Sequence, residues 1–470
     1  MATRIAGRCA WLREAIGPDE EDEPPLEGEA RADIAIVGGG YAGLWTALEL
    51  KRRQSTLSVA IVEADICGGG ASGRNTGMAL PQWVKFEALR QLCGTEGALR
   101  FARASERVLD EIERFSLEHR IDSEFRRDGW LWGATCKRQA GAWAGVLAAL
   151  EKIGEHPFRP VSREEIAALI GSDRFEGGVL THAAATLHPG KWVRGLRRAA
   201  LRAGVRIHEN SPMTKLERGR APRIHTRRGR LTADRVILAM NAWSAAIPEL
   251  RPGILVIASD DAVTRRSPEL LDRAGYRRAP LVSDSQIFVT GFRGTVDGRI
   301  NAGVTGGRIG FGGLGGARFE GRSRREEDVR ACLRRAHPEL AEAPFADSWC
   351  GPIDRTRSGL PLFGRLASCP DVLYGYGFSG NGVATTPLAG RILASLALDA
   401  ADEWSACGLV RPADSWMPPE PVKYVGALMV RHAVRRKDAL AYQDREPGPL
   451  VRRLAALAPG GIVTTRLERD

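Results

Sequence analysis

The chain has 470 residues, 43% of them hydrophobic and 27% charged, so it is long enough for two domains built around separate cores. No uncharged apolar run reaches the length of a membrane span, and the opening MATRIAGRCAWLREAIGPDEEDEPP lacks a secretory apolar core, so a cytoplasmic protein is expected. The net charge of +11 comes mostly from arginines scattered among acids, which argues against nucleic acid as a partner.

Residues 1–30 read as a polar, acidic tail ending near Pro24 and Pro25. ADIAIVGGG from Ala32 is an apolar run of the kind buried in a parallel sheet, and LWTALELKRR behind it has helical periodicity. SVAIVEA then supplies a second buried strand, which completes a strand-helix-strand crossover. Between 84 and 120 the pattern is helical, with Phe86, Leu89, Leu92, Leu109, Ile112 and Phe115 at spacings of three or four. GWLWGAT reads as a strand, AWAGVLAALEKI and KWVRGLRRAALRAG as helices, and DRVILAMNAW as a further buried strand. From about 252 to 318 alternating residues and many glycines predict an antiparallel sheet of hairpins. A charged helix, WCGPIDRTRSGLPLFG, the strand VLYGYGFS and a helix beginning near Gly382 follow.

The fold class expected is α/β (α+β overall): a Rossmann-like nucleotide domain with a discontinuous, antiparallel-sheet second domain. The nucleotide domain takes residues 31–100, 181–250 and 346–400, the second domain takes 101–180 and 251–345, and 401–470 form a C-terminal helical extension. Eight cysteines, Cys9, Cys67, Cys93, Cys136, Cys332, Cys350, Cys369 and Cys407, form no CxxC pair, so neither a zinc site nor a disulfide framework is expected.

Gly38, Gly40 and Gly43 make GxGxxG between the first strand and helix. The first permits the tight turn, the second a close approach to a pyrophosphate, and the third close packing of helix on strand. Tyr41 and Ala42 open that helix, whose positive end suits a diphosphate. Glu63, ahead of Ala64 at the end of the second strand, can accept from a ribose diol, and an acid there disfavours NADP. FAD and NAD stay open at this point. A second small-residue loop, CGGGASGRNTG, follows at once, and its Ala71, Ser72, Arg74 and Asn75 suit a cofactor that reaches past the first crossover.

Four stretches in order then carry a resemblance. They are IAIVGGGYAGLWTALEL with VEA; GASGRNTG; GKWVRGLRRAALRAGVRIHENSPMTKLE with ADRVILAMNAW; and WCGPIDRTRSGLPLFG with GYGFSGNGVATTPLAGRILA. Together they resemble the FAD-dependent oxidoreductases of the D-amino-acid oxidase superfamily, the group with glycine oxidase, sarcosine oxidase and gamma-glutamylputrescine oxidase. The resemblance implies FAD, with Gly380, Asn381 and Gly382 at the pyrimidine end of the flavin and Met213 at the adenine; some members attach flavin through Cys or His, and with no such residue assigned here noncovalent FAD is expected. It further implies an amine or amino-acid substrate, a γ-glutamyl amine or polyamine derivative among them, which loses hydride to flavin N5. Oxygen is the expected acceptor; a quinone or other carrier, and a non-catalytic FAD-fold subunit, are the alternatives. Two residues depart from the pattern: Asn381 stands where the family usually has His, and Thr76 replaces a glycine, which would rule out a positive φ or narrow the approach to the flavin.

No catalytic triad is visible, and no metal ligand set is assigned. Arg308, Arg355 and Arg357 are candidate anchors for a substrate carboxylate, and Trp130 and Trp132 candidates to line an amine pocket. His182 and His188 read as structural, with the HPG at 188–190 shaping a helix start. In the C-terminal extension Val422, Val425, Met429 and Ala433 form one stripe beside Arg431, Arg435, Arg436 and Lys437. Packing on the protein itself is the preferred reading of that helix, and peripheral contact with an anionic membrane the other.

Overall fold

The computed structural model describes residues 7–17, 20–313, 319 and 321–459, so residues 1–6 of the expected tail and 460–470 of the extension lie outside the described residues. Two eight-stranded sheets organise the chain. The first contains β1 (Gly28–Val37), β2 (Val59–Val62), β8 (Arg206–His208), β11 (Gly229–Leu238), β17 (Leu362–Leu366) and β18 (Cys369–Tyr376), in the order β17-β18-β11-β1-β2-β8. A hairpin of β9 (Lys215–Glu217) and β10 (Arg223–His225) extends from β11. β1 lies between two parallel neighbours, and Ile34, Ala35, Ile36 and Val37 are all buried, which is why its sequence shows no alternation. The helices Tyr41–Arg53 and Thr386–Ala397 pack together so closely that a Cβ on Gly390 would come within 2.8 Å of the Trp45 backbone.

The second sheet runs in the order β16 (Phe345–Arg355), β12 (Leu255–Thr264), β15 (Ile300–Val304), β14 (Thr290–Gly294), β13 (Leu281–Ser283), β4 (Trp130–Ala134), β6 (Gly177–Thr181), β5 (Arg159–Val161). Its neighbours are antiparallel except at β4 and β13, which pair in parallel, so this sheet is mixed rather than purely antiparallel. The two strands come from distant parts of the chain, and a hairpin turn does not fix their relative direction. A small antiparallel pair, β3 (Met78–Ala79) with β7 (Ala185–Thr186), forms a third sheet between them in sequence.

The N-terminal segment differs from the expected free tail. Residues Ala10–Ala15 form a helix with Trp11 and Leu12 buried. The Trp11 ring sits edge-on to His188 at 4.9 Å and to Trp349 at 5.7 Å, with the Arg299 guanidinium 5.2 Å from its centre. Glu14 accepts from Arg299 at 2.6 and 2.8 Å, and Glu20 and Glu23 pair with the buried Arg194 and Arg197. An acidic composition reads as solvated tail only while its partners are unknown; here the acids neutralise Arg194 and Arg197 on the distant helix Pro189–Arg202 and Arg299 just before β15.

At the other end the helix Val422–Ala441 packs on the protein, but through a different face from the predicted stripe. Tyr424, Ala427 and Leu428 lie against Leu255, Ile257 and Ile353, and the buried Lys423 donates to the Ile254 carbonyl at 2.6 Å. Ala433 is buried, whereas Val422, Val425 and Met429 are exposed. The lysine has a carbonyl partner waiting, so it displaces apolar residues from the packed face.

Candidate functional site

A cavity of about 720 Å³ lies between the two sheets. Every predicted cofactor residue lines it except Gly43, which sits one layer beneath. A Cβ on Gly43 would stand 1.9 Å from the Gly38 carbonyl oxygen, so the residue sets how closely the helix seats on the turn. Gly38 itself has φ +113, and a Cβ there would meet the Ala239 oxygen at 2.5 Å.

Glu63 accepts from the Gly39 N–H at 2.6 Å and from the Asp65 N–H at 2.9 Å. Burial pushes its carboxyl up to about 7 despite those bonds. Tyr41 N–H donates to Ser72 Oγ at 2.8 Å, which ties the first glycine loop to the second. Asn75 is spent on its own loop: Nδ2 donates to the Ala71 and Ser72 carbonyls, and Oδ1 accepts from the Gly77 N–H. That loop turns left-handed at Gly68, φ +91, and again at Gly77, φ +74, where a Cβ would lie 2.0 Å from the Leu187 oxygen. Thr76 has no positive φ, so its β-branch is compatible with the turn, and its carbonyl accepts from Arg293.

At the far end Asp354 organises the glycine-rich turn. Its carboxylate accepts from the N–H groups of Gly377 and Ser379 and from Asn241 Nδ2, and burial, stronger than those bonds, raises it to about 6. Ser379 and Gly380 take positive φ, 54° and 89°, and Asn381 Oδ1 is buried without a hydrogen-bond partner. Beside this turn two buried cations line the cavity, Lys85 and Arg355. Burial first, and then the Arg355 charge, lowers Lys85 to about 7; burial lowers Arg355 to about 10.

Among the candidate anchors, only Arg355 and Trp130 reach the cavity. Arg357 and His182 are exposed, and Arg308 lies outside the lining. Trp132 is buried and stacked on Trp130 at 6.1 Å with its indole outside the cavity, while Trp130 Nε1 donates to Ser283 at 3.1 Å. His188 caps the helix Pro189–Arg202, its Nδ1 accepting from the Lys191 N–H, which is the helix-start role read from HPG. No group of side chains suited to a metal occurs among the described residues, and all eight cysteines are free.

The residues that sequence reasoning missed lie on the second sheet and before the long helix: Asp261, Ser259, Thr305 and Lys85. A signal for Asp261 existed, since two adjacent acids interrupt the buried strand LVIASDDAVT and must face opposite sides. Lys85, within QWVKFEAL, had none beyond its apolar neighbours.

The lining fits FAD in its chemistry. Glycines without room for a Cβ bound one end, and the other ends in a left-handed turn beside buried positive charge. The comparisons with known proteins agree. The chain is 30% identical to a probable oxidoreductase OrdL of Rhizobium meliloti (strain 1021), over 85% of this chain and 90% of the relative. It is 28% identical to gamma-glutamylputrescine oxidoreductase of Escherichia coli (strain K12), over 80% of this chain and 85% of the relative. Among solved structures, glycine oxidase from Geobacillus kaustophilus superposes with a TM-score of 0.66 at 20% identity, covering 79% of this chain and 96% of that one. Residues 33–396 match the DAO family, FAD dependent oxidoreductase, so the chain belongs to that family and FAD is its cofactor.

Proposed function

We propose that this protein oxidises the C–N bond of a small amine or amino acid and passes the electrons to oxygen. The observation that carries the reading is the single cavity that joins the glycine loops to a sheet face bearing ionisable groups. When bound, FAD would supply the electron sink for a hydride leaving the carbon beside nitrogen, and the resulting imine would hydrolyse in water. In this reading Gly38, Gly40, Tyr41 and Ala42 seat the pyrophosphate while Gly43 lets the helix close on the turn beneath it, Glu63 and Ala64 meet the ribose, and Met213 the adenine. Ala71, Ser72, Arg74 and Asn75 run along the middle of the cofactor, and Gly380, Asn381 and Gly382 meet its pyrimidine end.

The chain's own contribution to the chemistry is positioning and charge. Arg355 holds positive charge in a place largely shielded from water, where fixed charge acts strongly, and Lys85, lowered to about 7 by burial and by the Arg355 charge, can gain or lose a proton beside it. The Gly380 and Gly382 N–H groups, on the turn that Asp354 holds through Gly377 and Ser379, add donors at the same end, whereas the Asn381 N–H is taken by the Phe378 carbonyl. The γ-glutamyl amines are the leading substrate class because gamma-glutamylputrescine oxidoreductase is among the relatives. A second reading, electron delivery to a membrane carrier, is favoured by one observation: the exposed Val422, Val425 and Met429 share a helix with the exposed Arg435 and Arg436.

The test begins with the absorption spectrum of the purified protein, where flavin bands are expected. Anaerobic bleaching is then followed over polyamines, γ-glutamyl amines and amino acids before oxygen is admitted. Rapid recovery in oxygen supports the oxidase; bleaching without rapid recovery selects the carrier-linked dehydrogenase; a protein that takes up no FAD overturns both.

A further inference from the structure

Asp260 and Asp261 are neighbours in β12, and the pleat sends them to opposite faces of the sheet. Asp260 is neutralised on the outer side, where Arg325 pairs with it at 3.1 Å and Ser323 donates to it at 2.8 Å. Asp261 faces the cavity. It is 4% exposed, and its Oδ1 has no hydrogen-bond partner. The cation whose field reaches it, Arg293, is committed elsewhere: its guanidinium donates to the carbonyls of Thr76, Leu187 and Gly294. A buried carboxylate without a partner is costly, and proteins pair such groups or bring a ligand to them. Burial, aided by the Asp260 charge, raises the Asp261 carboxyl well above the ordinary carboxylate range, so the group gives up its proton only when a positive partner comes to it.

The facing strand leaves just enough room for this carboxylate. Gly303, opposite Asp261 in β15, has no side chain to cover it; a Cβ there would stand 2.6 Å from Asp261 Oδ1 and 3.0 Å from Thr76 Cγ2. Gly291 in β14 makes room for Met78, whose Cε a Cβ there would meet at 3.1 Å. Ser259 and Thr305 add hydroxyls to the same wall of the cavity. Lys85 and Arg355 line the same cavity from other elements, so one site offers a carboxylate on the sheet and cations elsewhere on its wall.

We propose that Asp261 is the subsite for a protonated amino group of the substrate, and that this enzyme therefore takes cationic amines in preference to neutral isosteres. This rests on the amine-oxidising reading above and names the residue that selects for charge. The ammonium fits because it brings three donors and a positive charge to an acceptor that has neither.

The experiment uses the flavin-loaded protein and two ligands of one shape, tert-butylammonium and tert-butanol. The amine has no hydrogen on its α-carbon, so its binding is read without turnover, from the perturbed flavin spectrum and the rise in Tm. In the wild type the ammonium should bind at least tenfold more tightly than the alcohol. In Asp261→Asn that ratio should fall to near one with flavin content unchanged. Gly303→Ala, which pushes on the carboxylate without removing it, should lower the ratio in the same direction and serves if Asp261→Asn loses the flavin. Equal binding of the two ligands by the wild type, or a ratio that survives Asp261→Asn or, in its place, Gly303→Ala, overturns the proposal. A flavin-loaded protein that fails in this way still leaves the amine-oxidising reading standing, whereas a chain that takes up no FAD removes that reading first.

Discussion

The two ends of the cavity were built by different rules. At the nucleotide end, Gly38, Gly43 and Gly77 are dictated by backbone: their Cβ atoms would fall 2.5, 1.9 and 2.0 Å from carbonyl oxygens. At the sheet end, Asp261, Ser259, Lys85 and Arg355 are side chains set around a space, and many residue types would preserve the fold there. A backbone requirement leaves a spacing that can be read in a sequence. A side-chain constellation assembled from β12, β16 and the segment before the long helix Phe86–Glu118 leaves none.

The largest effect should come from breaking the backbone-dictated end. Gly43→Val drives a branched side chain into the Gly38 carbonyl, and overpacking of this kind costs about 1–3 kcal/mol or more. The expected result is a protein without flavin absorbance and with a lowered Tm. A variant that keeps its flavin would show that the turn can yield, and the contrast between the ends would collapse.

Second in its effect on the flavin site, although its cost in stability is larger, is Trp11→Ala, which removes a ring packed against His188 and Trp349. Deleting a fully buried aromatic side chain costs roughly 3–5 kcal/mol, and chemical denaturation measures it. Flavin should still bind, weakly or otherwise, because Trp11 is not part of the cavity lining. An unchanged unfolding midpoint would restore the picture of residues 1–30 as a free tail.

Glu14→Gln sharpens the same point through pH. Burial opposes ionisation of Glu14, but hydrogen bonds from Arg299 and His188 outweigh it and hold the carboxyl down at about 2, from an ordinary 4.5. A lowered folded-state value stabilises the fold above 4.5 and loses that contribution as pH falls toward 2. The wild type should therefore exceed Glu14→Gln by about 1 kcal/mol near neutrality, a modest figure because the carboxylate is partly exposed. The gap should close on acidification, and a gap independent of pH would refute the ion pair.

The smallest effect belongs to Met429→Ser. Met429 is 52% exposed, and exposed substitutions stay within about 0.5 kcal/mol, so Tm should hardly move. A large drop would mean that the stripe on the C-terminal helix is covered after all.

The helix Val422–Ala441 shows why periodicity alone misjudged a face. Val422, Val425 and Met429 are apolar and regularly spaced, yet they are exposed, because Lys423 meets the Ile254 carbonyl and Leu428 meets the Leu255 cluster. The Trp130 and Trp132 pair shows the opposite case: neighbours in one short strand, both buried, of which only Trp130 borders the cavity. Which side of a strand matters depends on what covers it.

What the sequence determined by itself was the nucleotide crossover, the order of the glycine turns and the membership that follows from them. Those features are local, and each is forced by a clash that only glycine avoids or by a strand buried on both faces. Tertiary structure alone decided that the acidic N-terminus clasps buried arginines, that Gly77 rather than Thr76 carries the left-handed turn beside Leu187, and that Asp261 meets the cavity without a partner while Asp260 is neutralised behind it. These depend on groups brought together from distant segments, and a charge acquires its role only from what is packed against it.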